Sequence, residues 1–158
     1  QYGGNINVGY KDFDLAIAFQ GIGKQTVRMA PEMIQPLRNN YGNIPDIYDG
    51  NYWSLSNTDE QNASAKYPRL SYANSDNNYT ISDFWLFNGR YFRLKNLTLG
   101  YTLPSRLTQK ASIKKIRLYA SASDLFCISN FPSGWDPEMG TSSYPITTSL
   151  VFGLSVNF

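Results

Sequence analysis

The sequence predicts an all-β protein, and more narrowly a stretch of wall from a transmembrane antiparallel β-barrel. Three observations lead there. Five stretches alternate apolar and polar residues with the period of two that a strand imposes. The connections between them are alternately short and long, as in barrels with tight turns on one side of the membrane and extended loops on the other. Aromatics make up 15% of the chain, with 12 Tyr, against 16% charged residues and no His. That balance suits a surface that is partly apolar and partly wet.

The first two strands are expected near 2–10 and 13–21, in "QYGGNINVGYKDFDLAIAFQG". Tyr2, Ile6, Val8 and Tyr10 share one parity, and after Lys11 and Asp12 the apolar set resumes at Phe13, Leu15, Ile17 and Phe19. A two-residue hairpin connection fits this spacing. The opposite parity of the second strand carries Asp14, Ala16, Ala18 and Gln20, which suit a solvated or protein-filled lumen better than a dry core.

From about 22 to 89 periodicity gives way to Asn, Asp, Ser, Pro and Gly punctuated by aromatics, read as a long external loop with a brief helical turn at Met33, Ile34 and Leu37. A third strand near 90–103 follows in "RYFRLKNLTLGYTLP". Its apolar parity switches from Phe92 and Leu94 to Leu97, Leu99, Tyr101 and Leu103, which a β-bulge at Lys95 and Asn96 would produce. Pro104 ends it.

A fourth strand is expected near 115–128, a second long loop near 129–145, and a fifth strand near 146–158 that closes on "SLVFGLSVNF". There Leu150, Phe152, Leu154, Val156 and Phe158 fall on one face, and Ser149, Val151, Gly153, Ser155 and Asn157 on the other. With the long loops outside, Tyr10, Phe13, Tyr101 and Phe158 lie toward the short-turn rim, where amphipathic rings form the girdle between hydrocarbon and headgroups. No run of about 18 apolar residues is present, which excludes a transmembrane helix and leaves barrel strands open.

A barrel must close, because lipid cannot satisfy unpaired backbone groups. Five strands fall short of the roughly eight of the smallest barrels, so the rest must come from other sequence. The chain also begins at Gln1 with neither initiating Met nor signal peptide, and reads as a piece of something longer.

The strings "YFRLKNLTLGYTLP", "IRLYASASDLF", "GWDPEMG" and "TTSLVFGLSVNF", together with "YGGNINVGYKDFDLAIAFQG" and "AKYPRL", occur in the order in which similar strings occur in SusC/RagA-type TonB-dependent outer-membrane transporters. The chain resembles the C-terminal end of that family over essentially its whole length. Asp124 stands where Asn is usual before Leu125 and Phe126, and the loop from Met29 to Asn40 has no clear counterpart.

The resemblance implies the last five strands of a plugged barrel of ~22 strands in the bacterial outer membrane. It implies import of oligosaccharides or peptides with TonB-derived energy, and a SusD-like surface lipoprotein as lid. The plug and N-terminal regions would lie upstream of Gln1.

Tyr48, Tyr52, Trp53, Trp85 and Trp135 fall in the external loops, where flat rings can stack on sugar faces or simply pack the loops. Asp46, Asp49 and Asn51, or Asp76, Asn77 and Asn78, offer oxygen ligands but match no complete calcium loop, and they suit turns. No metal or cofactor is expected. The turn with Arg106, Lys110, Lys114 and Lys115 reads as a solvated turn or as a contact for anionic headgroups or periplasmic partners.

A single Cys127 allows no internal disulfide, and a net charge of +2 gives no reason to expect nucleic acid. With no His to act as a base, the segment is not expected to be an enzyme. The alternative from another class is a soluble carbohydrate-binding β-sandwich, which would also use short strands and exposed aromatics.

Overall fold

The computed structural model describes residues 1–29, 34–38, 42–72, 76–108, 112–140 and 143–158. Among them the chain divides into two compact units: Gln1–Gln25 with Arg90–Asn130 and Ile146–Phe158, and Thr26–Gly89 with Phe131–Pro145.

The first unit is a five-stranded sheet in the order β1-β2-β5-β6-β7, with every neighbouring pair antiparallel. Its strands are β1 (Tyr2–Tyr10), β2 (Phe13–Ile22), β5 (Tyr91–Thr102), β6 (Lys115–Ser129) and β7 (Ser149–Asn157). The β1–β2 turn is the pair Lys11 and Asp12, with Lys11 at φ 52°, the left-handed conformation that a tight hairpin requires.

The registers align the apolar parities of all five strands into rows on one face. Tyr10, Phe13, Tyr101, Leu118 and Leu154 form one row, Val8, Leu15, Leu99, Ala120 and Phe152 the next, and Ile6, Ile17, Leu97, Ala122 and Leu150 the third. Leu150 is 64% exposed, Phe152 81% and Leu154 60%. A sandwich would cover this face with a second sheet, and soluble monomers rarely leave so continuous an apolar area bare.

The opposite face is polar. The Nε of Arg117 donates to Asp14 at 2.9 Å, and its Nη2 donates to the other carboxylate oxygen, so that one side chain bridges β6 to β2 across the intervening β5. The strand between contributes Gly100 there, and a Cβ at that position would run into the Arg117 guanidinium and the Asp14 carboxylate. In the same way the Tyr119 ring lies over Gly153, the aromatic cover that a strand glycine receives from its neighbour. Thr98, Ser121 and Asn96 complete this face with a hydroxyl pair at 2.8 Å and hydrogen bonds of 3.1 and 3.2 Å onto the Asn96 side-chain oxygen.

Gly100→Ala should therefore displace the same bridge that Arg117→Ala removes. In a double-mutant cycle on the full-length protein refolded into lipid, the pair is expected to cost no more than the worse single change. Additive losses would mean that Gly100 does not act through this bridge.

The parity switch in β5 is a register shift. Ala18 pairs with Asn96 and Phe19 with Leu94, leaving Lys95 as the extra residue, while on β6 the pairing jumps from Ser123 to Phe126. Asp124 lies in that jump at φ 50°. Asn and Asp are the side chains that best tolerate this region, so Asp124 holds it at little cost in strain. It adds a charge that meets Lys95 at 2.8 Å and the buried Arg93 at 4.0 Å.

The second unit covers most of the stretch read as a long loop and carries local structure of its own. It contains a two-stranded sheet of β3 (Thr26–Arg28) and β4 (Leu86–Asn88), 3-10 turns at Asp46–Tyr48 and Asp83–Trp85, and helical turns at Asp59–Ser64 and Asp76–Tyr79. Thr58 and Gln61 form a capping box at the start of the Asp59–Ser64 helix. The core is Met29, Ile34, Tyr48, Tyr67, Trp85 and Phe131. Its aromatics come from stretches far apart in sequence, so no local period announces them. Of the expected helical turn, Ile34 and Leu37 are described and Met33 lies outside the described residues.

Candidate functional site

The five loop aromatics singled out in the sequence occupy different environments. Tyr48 and Trp85 are interior residues, 0% and 2% exposed. Trp85 stacks against Tyr79 at 5.2 Å and Tyr67 at 5.9 Å, meets Phe84 in a T-shaped pair at 4.8 Å, and donates from Nε1 to the Asn78 carbonyl at 2.8 Å. Its burial leaves no face open to a sugar ring. Tyr48 donates its hydroxyl to the Ile34 carbonyl at 2.6 Å and lies 3.2 Å from the Tyr79 hydroxyl.

Tyr52 and Trp135 are half-buried against the same core, and Trp53 is exposed. Trp53 is held by its backbone: its N–H donates to the Tyr67 carbonyl at 3.0 Å, and the Tyr67 N–H donates to Asn51 at 3.0 Å. Sequence parity alone could not separate packed rings from presented ones, because Tyr52 and Trp53 are adjacent and the loop has no period.

Burial pushes the Tyr48 hydroxyl well above the ordinary tyrosine range, with the Tyr79 hydrogen bond acting in the same direction. Burial also raises Tyr67 and Tyr79. An acid held neutral by the fold contributes stability below its unfolded pKa, and loses it as pH rises past that value, because only the unfolded chain then releases the proton. The second unit is expected to open above about pH 10, the unfolded tyrosine value. Hydrogen exchange followed from neutral to alkaline pH should show its amides losing protection first; unchanged protection there through pH 11 would contradict the role of these buried hydroxyls.

On the sheet, Tyr10, Phe13 and Tyr101 share one row, with the Phe13 and Tyr101 rings 4.6 Å apart. Phe158 lies four residues beyond Leu154 of that row and is 75% exposed. Lys114 donates its N–H to Asn157 at 2.9 Å beside it. Lys11 sits 5.3 Å from the Tyr10 ring centre, a cation over an aromatic face at the same end of the strands.

Asp46 opens the 3-10 turn at Asp46–Tyr48, and Asp49 donates its N–H back to the Asp46 carbonyl at 3.0 Å, a turn role for the acidic pair. Asn51 caps locally as well, its side-chain oxygen accepting from the Lys66 N–H at 3.2 Å. Among the described residues no group of three or more His, Cys, Asp or Glu is arranged to hold a metal.

An antiparallel meander with one bare apolar face and one polar face suits the wall of a membrane β-barrel, and comparison with known proteins makes the class more particular. TonB-dependent receptor P3 of Formosa agariphila is 27% identical over 99% of the chain, and SusC of Bacteroides thetaiotaomicron is 32% identical over 49% of it. The fold matches solved structures of the RagAB peptide importer: TM-score 0.73 over 99% of the chain at 23% identity in the closed-closed state, and 0.69 over 98% at 24% in the open-open state. No family model matches.

The chain is thus similar, across its length, to TonB-dependent receptors of the SusC/RagA kind, and it is an outer-membrane sequence. These relatives are receptors and transporters rather than enzymes. The chain spans 16% of the length of the receptor P3.

Proposed function

We propose that this chain is the last five strands of an outer-membrane barrel of about 22 strands, part of an active importer of large nutrients. The strand segments at 2–10, 13–21, 90–103, 115–128 and 146–158 form the barrel wall, and the segments at 22–89 and 129–145 face the cell exterior. The rest of the barrel and the plug come from sequence outside this chain. The observation that carries the reading is the continuous row pattern: three apolar rows that meet lipid on one face, backed by the Asp14–Arg117 bridge and the Asn96–Thr98–Ser121 hydrogen bonds on the other. The edges of β1 and β7 are the places where further strands complete the cylinder.

The cargo is an oligosaccharide or a peptide, driven by the TonB complex and covered by a SusD-like lipoprotein. RagAB is a peptide importer and SusC a TonB-dependent receptor, and both support this reading. Within the exterior unit, contact with cargo rests on the exposed Trp53, and to a lesser degree on the half-buried Tyr52 and Trp135, because Tyr48 and Trp85 are spent on the core. Tyr10, Phe13, Tyr101 and Phe158 anchor the wall at the interface.

Uptake of labelled oligosaccharides and of labelled peptides by cells carrying the full-length receptor, with and without TonB, tests the proposal. Uptake of one class that disappears without TonB is expected, and Trp53→Ala should weaken binding of that cargo roughly fivefold, the loss of one stacking contact. Equal uptake in cells lacking the receptor would overturn it.

A further inference from the structure

The apolar face is not uniform. Along β6 and the residue before it the column runs Lys114, Ile116, Leu118, Ala120, Ala122, so its last two positions are small, and the neighbours of Ala120 across its row, Leu99 and Phe152, are large. The result is an open trough of about 320 Å³ lined by Phe13, Leu99, Leu118, Ala120 and Phe152.

Along β6 beyond Leu118 lies a rim that is mostly basic, with Asp12 of the β1–β2 turn as its acidic exception. Arg106, Lys114 and Lys115 lie in and after the β5–β6 connection, and the sequence holds no acidic residue between Asp83 and Asp124. Arg106 and Lys114 are exposed, while Lys110 lies outside the described residues. The six residues from Ala120 to Lys114 span about 20 Å of strand, or about 15 Å of depth at a barrel tilt of about 40°, which is half of a hydrocarbon core about 30 Å thick.

We propose that the trough seats one acyl chain of an anionic phospholipid whose headgroup meets Arg106 and Lys114. The trough ends where a single leaflet ends, and the positive rim stands where that leaflet's headgroups lie. Zwitterionic lipid would fill the trough equally well but would gain little from the rim; an anionic headgroup answers both features. This rests on the sheet lying in the outer membrane, as proposed above.

The test uses the full-length receptor, extracted from outer membranes, stripped of lipid and offered phosphatidylglycerol and phosphatidylcholine in equal amounts in mixed micelles, with retained lipid counted by native mass spectrometry. Phosphatidylglycerol should be retained roughly fivefold or more over phosphatidylcholine, with that preference removed by Arg106→Gln together with Lys114→Gln. Ala120→Leu, which fills the trough, should reduce retention of both lipids. Folding of each variant is checked by heat-modifiable migration of the barrel.

Equal retention of the two lipids, indifference of the preference to the rim variants, displacement of the lipid by inorganic phosphate alone, or a second copy of the receptor occupying the face would each overturn the proposal. A receptor absent from outer membranes would instead sink the membrane reading beneath it.

Discussion

Leu154→Arg in the full-length protein is expected to destabilise the barrel by about 2–4 kcal/mol, while Ser155→Arg one residue along costs far less. Leu154 pairs with Leu118 in the row that also holds Tyr10, Phe13 and Tyr101, and is 60% exposed on the apolar face. Four residues separate it from Phe158 at the rim, about 13 Å of strand, and because a row runs at a slant across strands tilted by about 40°, Leu154 lies deeper in the apolar band than Tyr10 at the other end of its row. A guanidinium there must either strip its water or draw water into hydrocarbon. Ser155 pairs with Arg117 on the polar face, where a second cation meets water and mild repulsion. Folding titrations into lipid vesicles read both values, and equal losses at the two positions would mean that the faces are reversed or that neither meets lipid.

The second large effect belongs to the second unit. Trp85→Ala should cost that unit about 3–5 kcal/mol, the range for deleting a buried large aromatic. The ring is 2% exposed, packed on Tyr67 and Tyr79, and its Nε1 satisfies the Asn78 carbonyl, so truncation leaves both a cavity and an unpaired acceptor. The loss is expected to appear as faster hydrogen exchange and proteolysis within Thr26–Gly89 and Phe131–Pro145, with the five-stranded sheet unaffected. Trp53→Ala, by contrast, removes an exposed ring and should leave exchange in that unit nearly unchanged. If the two substitutions loosened the unit equally, the division between core and presented aromatics would be wrong.

The strands were legible because a sheet with one apolar and one polar face imposes period two, and the bulge at Lys95 was legible as a break in that period. The Asp14–Arg117 bridge was not, since its partners are 103 residues apart and meet only once the register is known. Gly100, small and on the polar face of an otherwise bulky strand, was the signal available for it. The core of the second unit was illegible for a related reason: Tyr48, Tyr67, Trp85 and Phe131 converge through irregular backbone, so Tyr48 and Trp85 looked as available for ligand as Trp53. Asp124 shows the reverse case, where a residue singled out in the sequence becomes intelligible through its positive φ and its two basic neighbours.

The central claim is that hydrocarbon covers the face carrying Leu150, Phe152 and Leu154. Nitroxide labels placed singly from Ser149 to Asn157 in the full-length receptor, with Cys127 replaced by Ser and the protein in vesicles, measure this directly. The account predicts high oxygen and low nickel-chelate accessibility at 150, 152, 154 and 156, with the opposite at 149, 151, 153 and 155. An absent or inverted alternation would contradict it.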